Sequence, residues 1–130
     1  MKTILIVDDS PTIRRIVRAA FREAPVAVVE AASGLEAIEQ LSLTSVELIV
    51  LDLNMPDMHG LEVLKFVRQH PTFARLPVVV LTTRGDDASR QAAQAAGATL
   101  YLTKPFAPLA LREQALTLLE QSAKTGHVES

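Results

Sequence analysis

Five residues with chemically useful side chains each follow or end a short apolar run in the sequence. They are two adjacent carboxylates, a third carboxylate, a hydroxyl and an amine: Asp8, Asp9, Asp52, Thr82 and Lys104. Three carboxylates brought together repel one another, by about 4 kcal/mol for two unit charges ~4 Å apart at an effective dielectric near 20. Lys104 can compensate one of these charges. An all-oxygen set without His or Cys suits a hard divalent cation, so the residue types favour Mg²⁺ as a second positive charge.

Each of these residues also has an ordinary structural explanation when it is taken alone. Asp8 and Asp9 precede a predicted helix and could simply favour the positive end of its dipole. Asp52 could cap a loop, Thr82 could satisfy a strand end, and Lys104 could be a solvated charge. The chemical interpretation therefore depends on whether the secondary structure brings the five residues to one place.

Apolar runs of strand length alternate five times with segments of helical periodicity. The runs are rich in Val, Ile and Leu and lack alternating polar residues, which is typical of parallel strands buried on both faces. The predicted strands are Thr3–Asp8, Val26–Glu30, Leu48–Leu53, Pro77–Thr82 and Ala98–Thr103.

The first two predicted helices have recognisable starts. Ser10 can cap the first helix, and Pro11 suits its first position, where no backbone N–H is required. Ser33 and Glu36 have the spacing of a capping box at the start of the second helix. Leu35 and Ile38 follow on one side of that helix.

The other three helices are predicted over residues 60–69, 86–96 and 108–121. Alanine dominates the inner side of the fourth helix, which predicts thin packing, and Gly97 after it suits a left-handed cap. The fifth helix carries more apolar surface than one sheet contact needs, so part of it is expected to meet a partner. Residues 1–121 are predicted to form the domain, and residues 122–130, small or polar without periodicity, a frayed tail.

This alternation predicts an α/β fold with a doubly wound parallel sheet between two layers of helices, a three-layer sandwich with right-handed crossovers. In such sheets, functional groups sit at the carboxyl ends of the strands. Because the five chemically useful residues all lie at those ends, we expect them to converge.

The composition limits the possible partners. The chain has 130 residues, a net charge of −2 and no cysteine. Its basic residues are scattered rather than clustered, so direct nucleic-acid binding is not expected. Without cysteine there is no disulfide, thiolate zinc site or catalytic thiol. The apolar stretch Ile4–Val7 is shorter than a signal-peptide core and no run is long enough to span a bilayer, so we expect a cytoplasmic protein without a membrane partner.

Four stretches of the sequence resemble the receiver domains of two-component response regulators. They are IVDDS at residues 6–10, LDLNMPDMHG at 51–60, LTT at 81–83 and YLTKPF at 101–106. The resemblance covers nearly the whole chain, and the DDS stretch is similar to chemotaxis-type single-domain receivers. It implies a flavodoxin-like (βα)5 fold with strand order 2-1-3-4-5, an order for which a chemotaxis receiver is itself a standard example.

The resemblance also implies roles for the acidic residues. Asp52 would accept a phosphoryl group from a histidine kinase, a phosphotransfer protein or a small phosphodonor. Asp9, Asp52 and the backbone carbonyl of Asn54 would bind Mg²⁺ directly, and Asp8 would assist through water. In this interpretation the chain is a regulator that catalyses only its own phosphorylation and dephosphorylation.

A conformational switch is implied by the same resemblance. Lys104 would hold the transferred oxygens, and the Thr82 hydroxyl would shift to donate a hydrogen bond to the phosphoryl group. Tyr101, at the position of a switching aromatic residue, would then turn inward. The surface of the fourth helix, fifth strand and fifth helix would change and bind a downstream protein or a second copy of the chain. The Lys104–Pro105 peptide bond is expected to be cis.

Two other functions fit parts of the pattern. A phosphatase or transferase that uses an aspartyl phosphate would share the acid and Mg²⁺ chemistry. Such an enzyme needs a substrate pocket and extra cap segments, whereas the five glycines here are dispersed and form no phosphate-binding loop. A receiver-shaped binding module that works without phosphate would not need the complete residue set.

Overall fold

Five parallel strands form one sheet with the order β2-β1-β3-β4-β5, and a helix follows each strand. The computed structural model describes residues 1–129, with side chains described through Ser122. The elements in chain order are β1 (Lys2–Val7), α1 (Pro11–Ala20), β2 (Val26–Ala31), α2 (Gly34–Leu43), β3 (Leu48–Asp52), α3 (Gly60–Gln69), β4 (Val78–Thr82), α4 (Asp87–Ala96), β5 (Leu100–Thr103) and α5 (Pro108–Glu129). This is the predicted fold class and strand order.

Two apolar layers lie on opposite faces of the sheet because successive strand residues point to opposite sides. One layer joins alternate residues of the central strands to α2, α3 and α4. The other layer joins the remaining strand residues to α1 and α5. Every residue of β3 and of β4 is buried, which explains why these strands lack polar alternation.

The helix ends largely follow the local sequence signals. The Ser10 side chain accepts a hydrogen bond from the Ile13 N–H at the start of α1. At α2, Ser33 accepts from the Glu36 N–H at 3.1 Å. The Glu36 carboxylate in turn accepts from the Ala32 N–H, one residue before the donor that a capping box uses. Gly97 ends α4 with a φ of 105°, the left-handed cap expected there.

Of the two apolar residues expected on one side of α2, Ile38 is half-buried and Leu35 is 63% exposed. The face of α2 that packs inward consists of Gly34, Ala37 and Leu41. A Cβ on Gly34 would lie 2.7 Å from the Cβ of Met58. The loop that carries Met58 therefore packs against the bare glycine backbone. Leu35 lies about 100° around the helix from Gly34 and so points away from this inward face.

The packing of α4 and α5 agrees with their composition. Ala93 is the one residue of α4 in the buried core that the structure describes, so the helix packs thinly. Leu111, Ala115 and Leu119 of α5 face the sheet, whereas Leu109 is exposed. The helix continues past the expected end near Gln121 to Glu129. A frayed tail was predicted over residues 122–130. The side chains from 123 onward lie outside the described residues, so fraying of this segment stays a prediction.

No helix within residues 1–129 combines the length and the apolar character needed to cross a membrane.

Candidate functional site

The predicted site residues lie at the carboxyl ends of four neighbouring strands. Asp8 directly follows β1, Asp52 and Thr82 are the last residues of β3 and β4, and Lys104 directly follows β5. The parallel register pairs Asp52 with Leu81 and Thr82 with Thr103, so these strands end at the same edge. Asp8, Asp52 and Thr82 are the buried polar or charged residues that the structure describes.

Lys104 bridges two of the carboxylates. Its Nζ lies 2.9 Å from Asp8 Oδ2 and 3.3 Å from Asp52 Oδ1. Burial alone would lower the pKa of Lys104. The hydrogen bond to Asp8 and the charges of Asp52 and Asp8 outweigh that effect and raise the pKa above its ordinary value. Lys104 is therefore held as a fixed positive charge between two buried acids.

Asp52 is 3% exposed, and its carboxylate is only partly compensated. Burial is the main cause that raises the pKa of Asp52, and the nearby charge of Asp8 raises it further. The hydrogen bond from the Asn54 N–H, 3.2 Å from Oδ1, and the charge of Lys104 act in the opposite direction without cancelling the rise. Additional positive charge at this edge would favour the ionised form of Asp52.

Three carboxylates could share a cation here. Asp8, Asp9 and Asp52 each offer one oxygen, and these oxygens lie within 4.8 Å of one another. Asp8 Oδ1 accepts from the Ser10 N–H and Asp8 Oδ2 from Lys104, so each of its oxygens already accepts one hydrogen bond within the protein. Asp9 is exposed, and no side-chain hydrogen bond to its carboxylate occurs among the described contacts. The all-oxygen donor set fits a hard divalent ion such as Mg²⁺.

The Thr82 hydroxyl is oriented by two neighbours. Its Oγ1 accepts from the Arg84 N–H at 3.1 Å and from the Asn54 side-chain amide at 3.4 Å. A hydroxyl has two acceptor lone pairs and one donor proton. With both lone pairs in use, the proton of Thr82 is the group that remains to be donated.

Tyr101 of β5 is buried, and its hydroxyl contacts the loop that follows β4. Its hydroxyl donates a hydrogen bond to the Arg84 carbonyl, and the Arg90 guanidinium lies 4.9 Å from the ring centroid. Burial, and then the charge of Asp86, raise the pKa of Tyr101. The ring thus has the inward position that the resemblance implies for the phosphorylated state. A displacement between two states stays a prediction, because the structure shows a single conformation.

The Lys104–Pro105 peptide bond is cis, the form that the resemblance implies. The Lys104 N–H donates to the Thr82 carbonyl at 2.7 Å, which continues the ladder between β4 and β5 by one residue.

Two supporting residues were not predicted. Arg14 of α1 donates to the Asp8 carbonyl at 2.6 Å and pairs with Glu30 of β2 at 3.0 Å, so it fixes the turn after β1. Asp57 accepts from the Gly34 and Leu35 N–H groups and joins the loop after β3 to α2. Asp57 lies inside the recognised stretch 51–60, but only the spatial neighbourhood of α2 shows what its side chain does.

Comparison with known sequences identifies the family of the chain. The family model for the response regulator receiver domain matches residues 4–116. The chain is 39% identical over 113 residues to the chemotaxis protein CheY1 of Helicobacter pylori, a match that covers 85% of this chain and 91% of that protein. It is 37% identical over 128 residues to a CheY homolog of Campylobacter jejuni, covering 97% and 98% of the two chains.

Solved structures give the same result. Chemotaxis protein CheY4 of Vibrio cholerae superposes with a TM-score of 0.82 at 37% identity, covering 88% of this chain and 95% of that one. A CheY-like receiver domain from Methanospirillum hungatei superposes with a TM-score of 0.88 at 26% identity, covering 96% and 98%. By fold, sequence and the residues at its sheet edge, the chain belongs to the response regulator receiver family of two-component signalling, whose members are signalling switches rather than ordinary enzymes.

Proposed function

We propose that the chain is a phosphoacceptor switch in which Asp52 receives a phosphoryl group from a histidine kinase, a phosphotransfer protein or a small phosphodonor. The observation that carries this proposal is the convergence of a buried, incompletely neutralised Asp52 with Lys104 and Thr82 at one sheet edge. A merely structural acid would be expected to have its charge fully satisfied by its neighbours.

The geometry of Asp52 favours one of its oxygens as the nucleophile. Both hydrogen bonds that the described residues donate to this carboxylate end on Oδ1, so Oδ2 is available for bond formation. In the proposed step, Oδ2 forms a bond to phosphorus while the bond from phosphorus to the donor atom breaks. The leaving group departs with that electron pair and takes up a proton, and Asp52 becomes an acyl phosphate.

Lys104 and Thr82 would stabilise the transferred group. The Lys104 ammonium, already 3.3 Å from Asp52 Oδ1, can pair with a phosphoryl oxygen by a small displacement. The Thr82 hydroxyl accepts two hydrogen bonds, and none of the described contacts uses its proton, so this proton can be donated to the phosphoryl group. These two donors aim at charge that develops during transfer, which is the arrangement that lowers the barrier of such reactions.

We propose Mg²⁺ as the cofactor, held by Asp9, Asp52 and the backbone carbonyl of Asn54, with Asp8 acting through water. The engaged oxygens of Asp8 and the exposed carboxylate of Asp9 support this division of roles. When bound, Mg²⁺ supplies positive charge that screens an anionic phosphoryl group from the carboxylates.

The output of the switch is proposed to be the surface of α4, β5 and α5, which would bind a downstream protein or a second copy of the chain. A chain of contacts supports this route: Thr82 accepts from the Arg84 N–H, Tyr101 donates to the Arg84 carbonyl, and Arg90 of α4 covers the Tyr101 ring.

The proposal includes a cytoplasmic location, in keeping with a sequence that has no cysteine.

The test is incubation with acetyl phosphate, with and without Mg²⁺, followed by intact-mass spectrometry. The parent chain is expected to gain one phosphoryl group only when Mg²⁺ is present, and Asp52→Asn to gain none. The isosteric replacement removes the nucleophilic oxygen while keeping the shape of the side chain. Equal labelling of the Asp52→Asn variant would reject Asp52 as the acceptor, and continuous release of phosphate from small phosphate esters would favour an enzyme instead.

A further inference from the structure

One carboxylate fastens the loop after Asp52 to the start of α2. Asp57 Oδ1 accepts from the Gly34 N–H at 3.1 Å, and Oδ2 accepts from the Leu35 N–H at 3.2 Å. These donors belong to the first turn of α2, where N–H groups have no partner within the helix. A carboxylate at this end also interacts favourably with the helix dipole. Desolvation acts to raise the pKa of Asp57, but the hydrogen bonds from Gly34 and Leu35 hold it below the ordinary value.

A packing contact next to this carboxylate brings the same two segments together. Met58 lies so close to Gly34 that a Cβ added to the glycine would be 2.7 Å from the Met58 Cβ. Met58 also packs against the apolar layer that contains Ala37 and Leu41 of α2. The polar and the apolar contact involve adjacent loop residues, so the loop has a defined position on α2.

The other end of this loop lies in the phosphoacceptor site. The Asn54 N–H donates to Asp52 Oδ1, and the Leu53 carbonyl accepts from the Gly60 N–H at 2.9 Å, which closes the loop on itself. The side chain of Met55 is buried. A loop of residues 53–59 thus has one attachment at Asp52 and one at α2, and the Asn54 carbonyl lies between them.

We infer that Asp57 is a positioning residue that holds the loop after β3 on α2, so that the Asn54 carbonyl is presented to Mg²⁺, and that Mg²⁺ binding and the order of the first turn of α2 are thereby coupled. This inference rests on the proposed function, because it concerns the metal site of that function. Coupling between two sites is reciprocal. Loss of the Asp57 contacts should weaken Mg²⁺ binding, and bound Mg²⁺ should protect the Leu35 N–H.

The first experiment measures Mg²⁺ affinity by calorimetry in the parent chain and in Asp57→Ala, with two matched controls. Ser33→Ala removes the other side-chain cap of α2, and Glu36→Gln removes a negative charge from the same helix end; the described hydrogen bonds of both side chains lie outside the loop. We expect Asp57→Ala to raise the Kd for Mg²⁺ by about tenfold, the lower end of what loss of a group supporting a metal ligand causes. Asp57→Asn, which keeps one acceptor oxygen, should fall between it and the parent.

The controls should stay within about twofold of the parent, since they leave the support of the metal ligand intact. A loss of affinity in Ser33→Ala or Glu36→Gln as large as in Asp57→Ala would overturn the inference, since helix capping or charge alone would then explain it.

Amide hydrogen exchange at Leu35 supplies a second readout that simple destabilisation would not produce. Mg²⁺ should slow exchange of this N–H in the parent chain and leave it unchanged in Asp57→Ala. In Asp57→Asn, Mg²⁺ should slow the exchange to a smaller degree than in the parent. Unchanged Mg²⁺ affinity in both Asp57 variants, or the same Mg²⁺ protection of Leu35 with and without the carboxylate, would refute the role of Asp57. A parent chain that binds no Mg²⁺ would instead reject the proposed function together with this inference.

Discussion

At the scale of single residues, Asp52 combines a buried position with incomplete neutralisation. Burial and the charge of Asp8 raise its pKa, while Lys104 and the Asn54 N–H only partly oppose the rise. The ionised carboxylate that phosphoryl transfer needs is therefore a form that the fold tolerates rather than stabilises. Such unfavourable charge is common where a site awaits a partner of opposite charge.

Replacing Asp52 with asparagine should consequently stabilise the fold. Because the folded-state pKa of Asp52 is raised, protonation stabilises the folded chain at low pH, and this stability is lost as the pH rises through that pKa. At neutral pH without Mg²⁺, Asp52→Asn should increase the free energy of unfolding by on the order of 1 kcal/mol, part of the repulsion between two close carboxylates. Denaturant unfolding at pH 7 and at pH 3 measures this. A variant less stable than the parent at neutral pH would contradict the account.

The two acids after β1 should contribute unequally to Mg²⁺ binding. Asp9 is exposed and has a free carboxylate among the described contacts, whereas Asp8 uses both oxygens within the protein. Asp9→Asn removes a direct anionic ligand and should raise the Kd for Mg²⁺ by about tenfold or more, and Asp8→Asn should raise it less. Calorimetric Mg²⁺ binding compares the two variants, and equal or reversed losses would exchange the proposed roles.

At the scale of elements, arginine side chains hold α1 against the strand ends. Arg14 donates to the Asp8 carbonyl and to Glu30, and Arg18 pairs with the other oxygen of Glu30 at 2.6 Å. The turn that carries Asp8 and Asp9 is thereby attached to α1 and to β2. The geometry of that turn thus depends on Glu30, a carboxylate that takes no part in the proposed chemistry.

Glu30→Gln should weaken this attachment in a pH-dependent way. The hydrogen bond from Arg18 is the largest cause that lowers the pKa of Glu30; burial opposes it, and Arg14 lowers the pKa further. The ion pairs therefore stabilise the fold above the ordinary carboxyl pKa of about 4.3, and this contribution is lost as the pH falls through the lower folded-state pKa. Denaturant unfolding should show a loss of about 0.5–1 kcal/mol at pH 7 that vanishes in acid. A loss that persists unchanged in acid would point to packing instead.

The sequence predicted the elements well because their signals are local. Strand ends, the caps at Ser10 and Ser33, and the left-handed Gly97 depend on neighbouring residues. The function of Asp57 could not be found in this way, because it follows from contact between α2 and a loop distant in sequence.

The sequence predicted which residues meet at the site but not how their side chains are oriented. Convergence of Asp8, Asp52 and Lys104 follows from parallel strands that end at one edge, so sequence order was sufficient. The two hydrogen bonds that orient Thr82 and the position of the Tyr101 ring depend on side-chain conformations that periodicity does not report.

At the scale of the whole molecule, the contacts from Thr82 through Arg84 to Tyr101 and Arg90 connect the sheet edge to α4. Coupling along these contacts requires two states that differ at Thr82, Tyr101 and Arg90. The buried ring of Tyr101 is the state in which the hydroxyl reaches the Arg84 carbonyl.

Beryllofluoride, which imitates a phosphoryl group on a carboxylate, should favour this inward state. We expect the NMR signals of the Tyr101 ring to shift on saturation, and self-association or partner affinity to rise by about tenfold in parallel, a typical allosteric coupling. Thr82→Ala should bind beryllofluoride but leave the ring and the affinity unchanged. The proposed switch is wrong if the fully occupied parent chain shows neither change.

The central claim is that Asp52 carries the phosphoryl group, and the chemical identity of the linkage tests it most directly. The parent chain would be phosphorylated with acetyl phosphate and Mg²⁺, reduced with borohydride, and sequenced by tandem mass spectrometry. An acyl phosphate at Asp52 is reduced to homoserine, so homoserine should appear at position 52 and should be missing when Mg²⁺ is omitted. A phosphate ester on Thr82 or Thr83, with unmodified aspartate at position 52, would contradict the account.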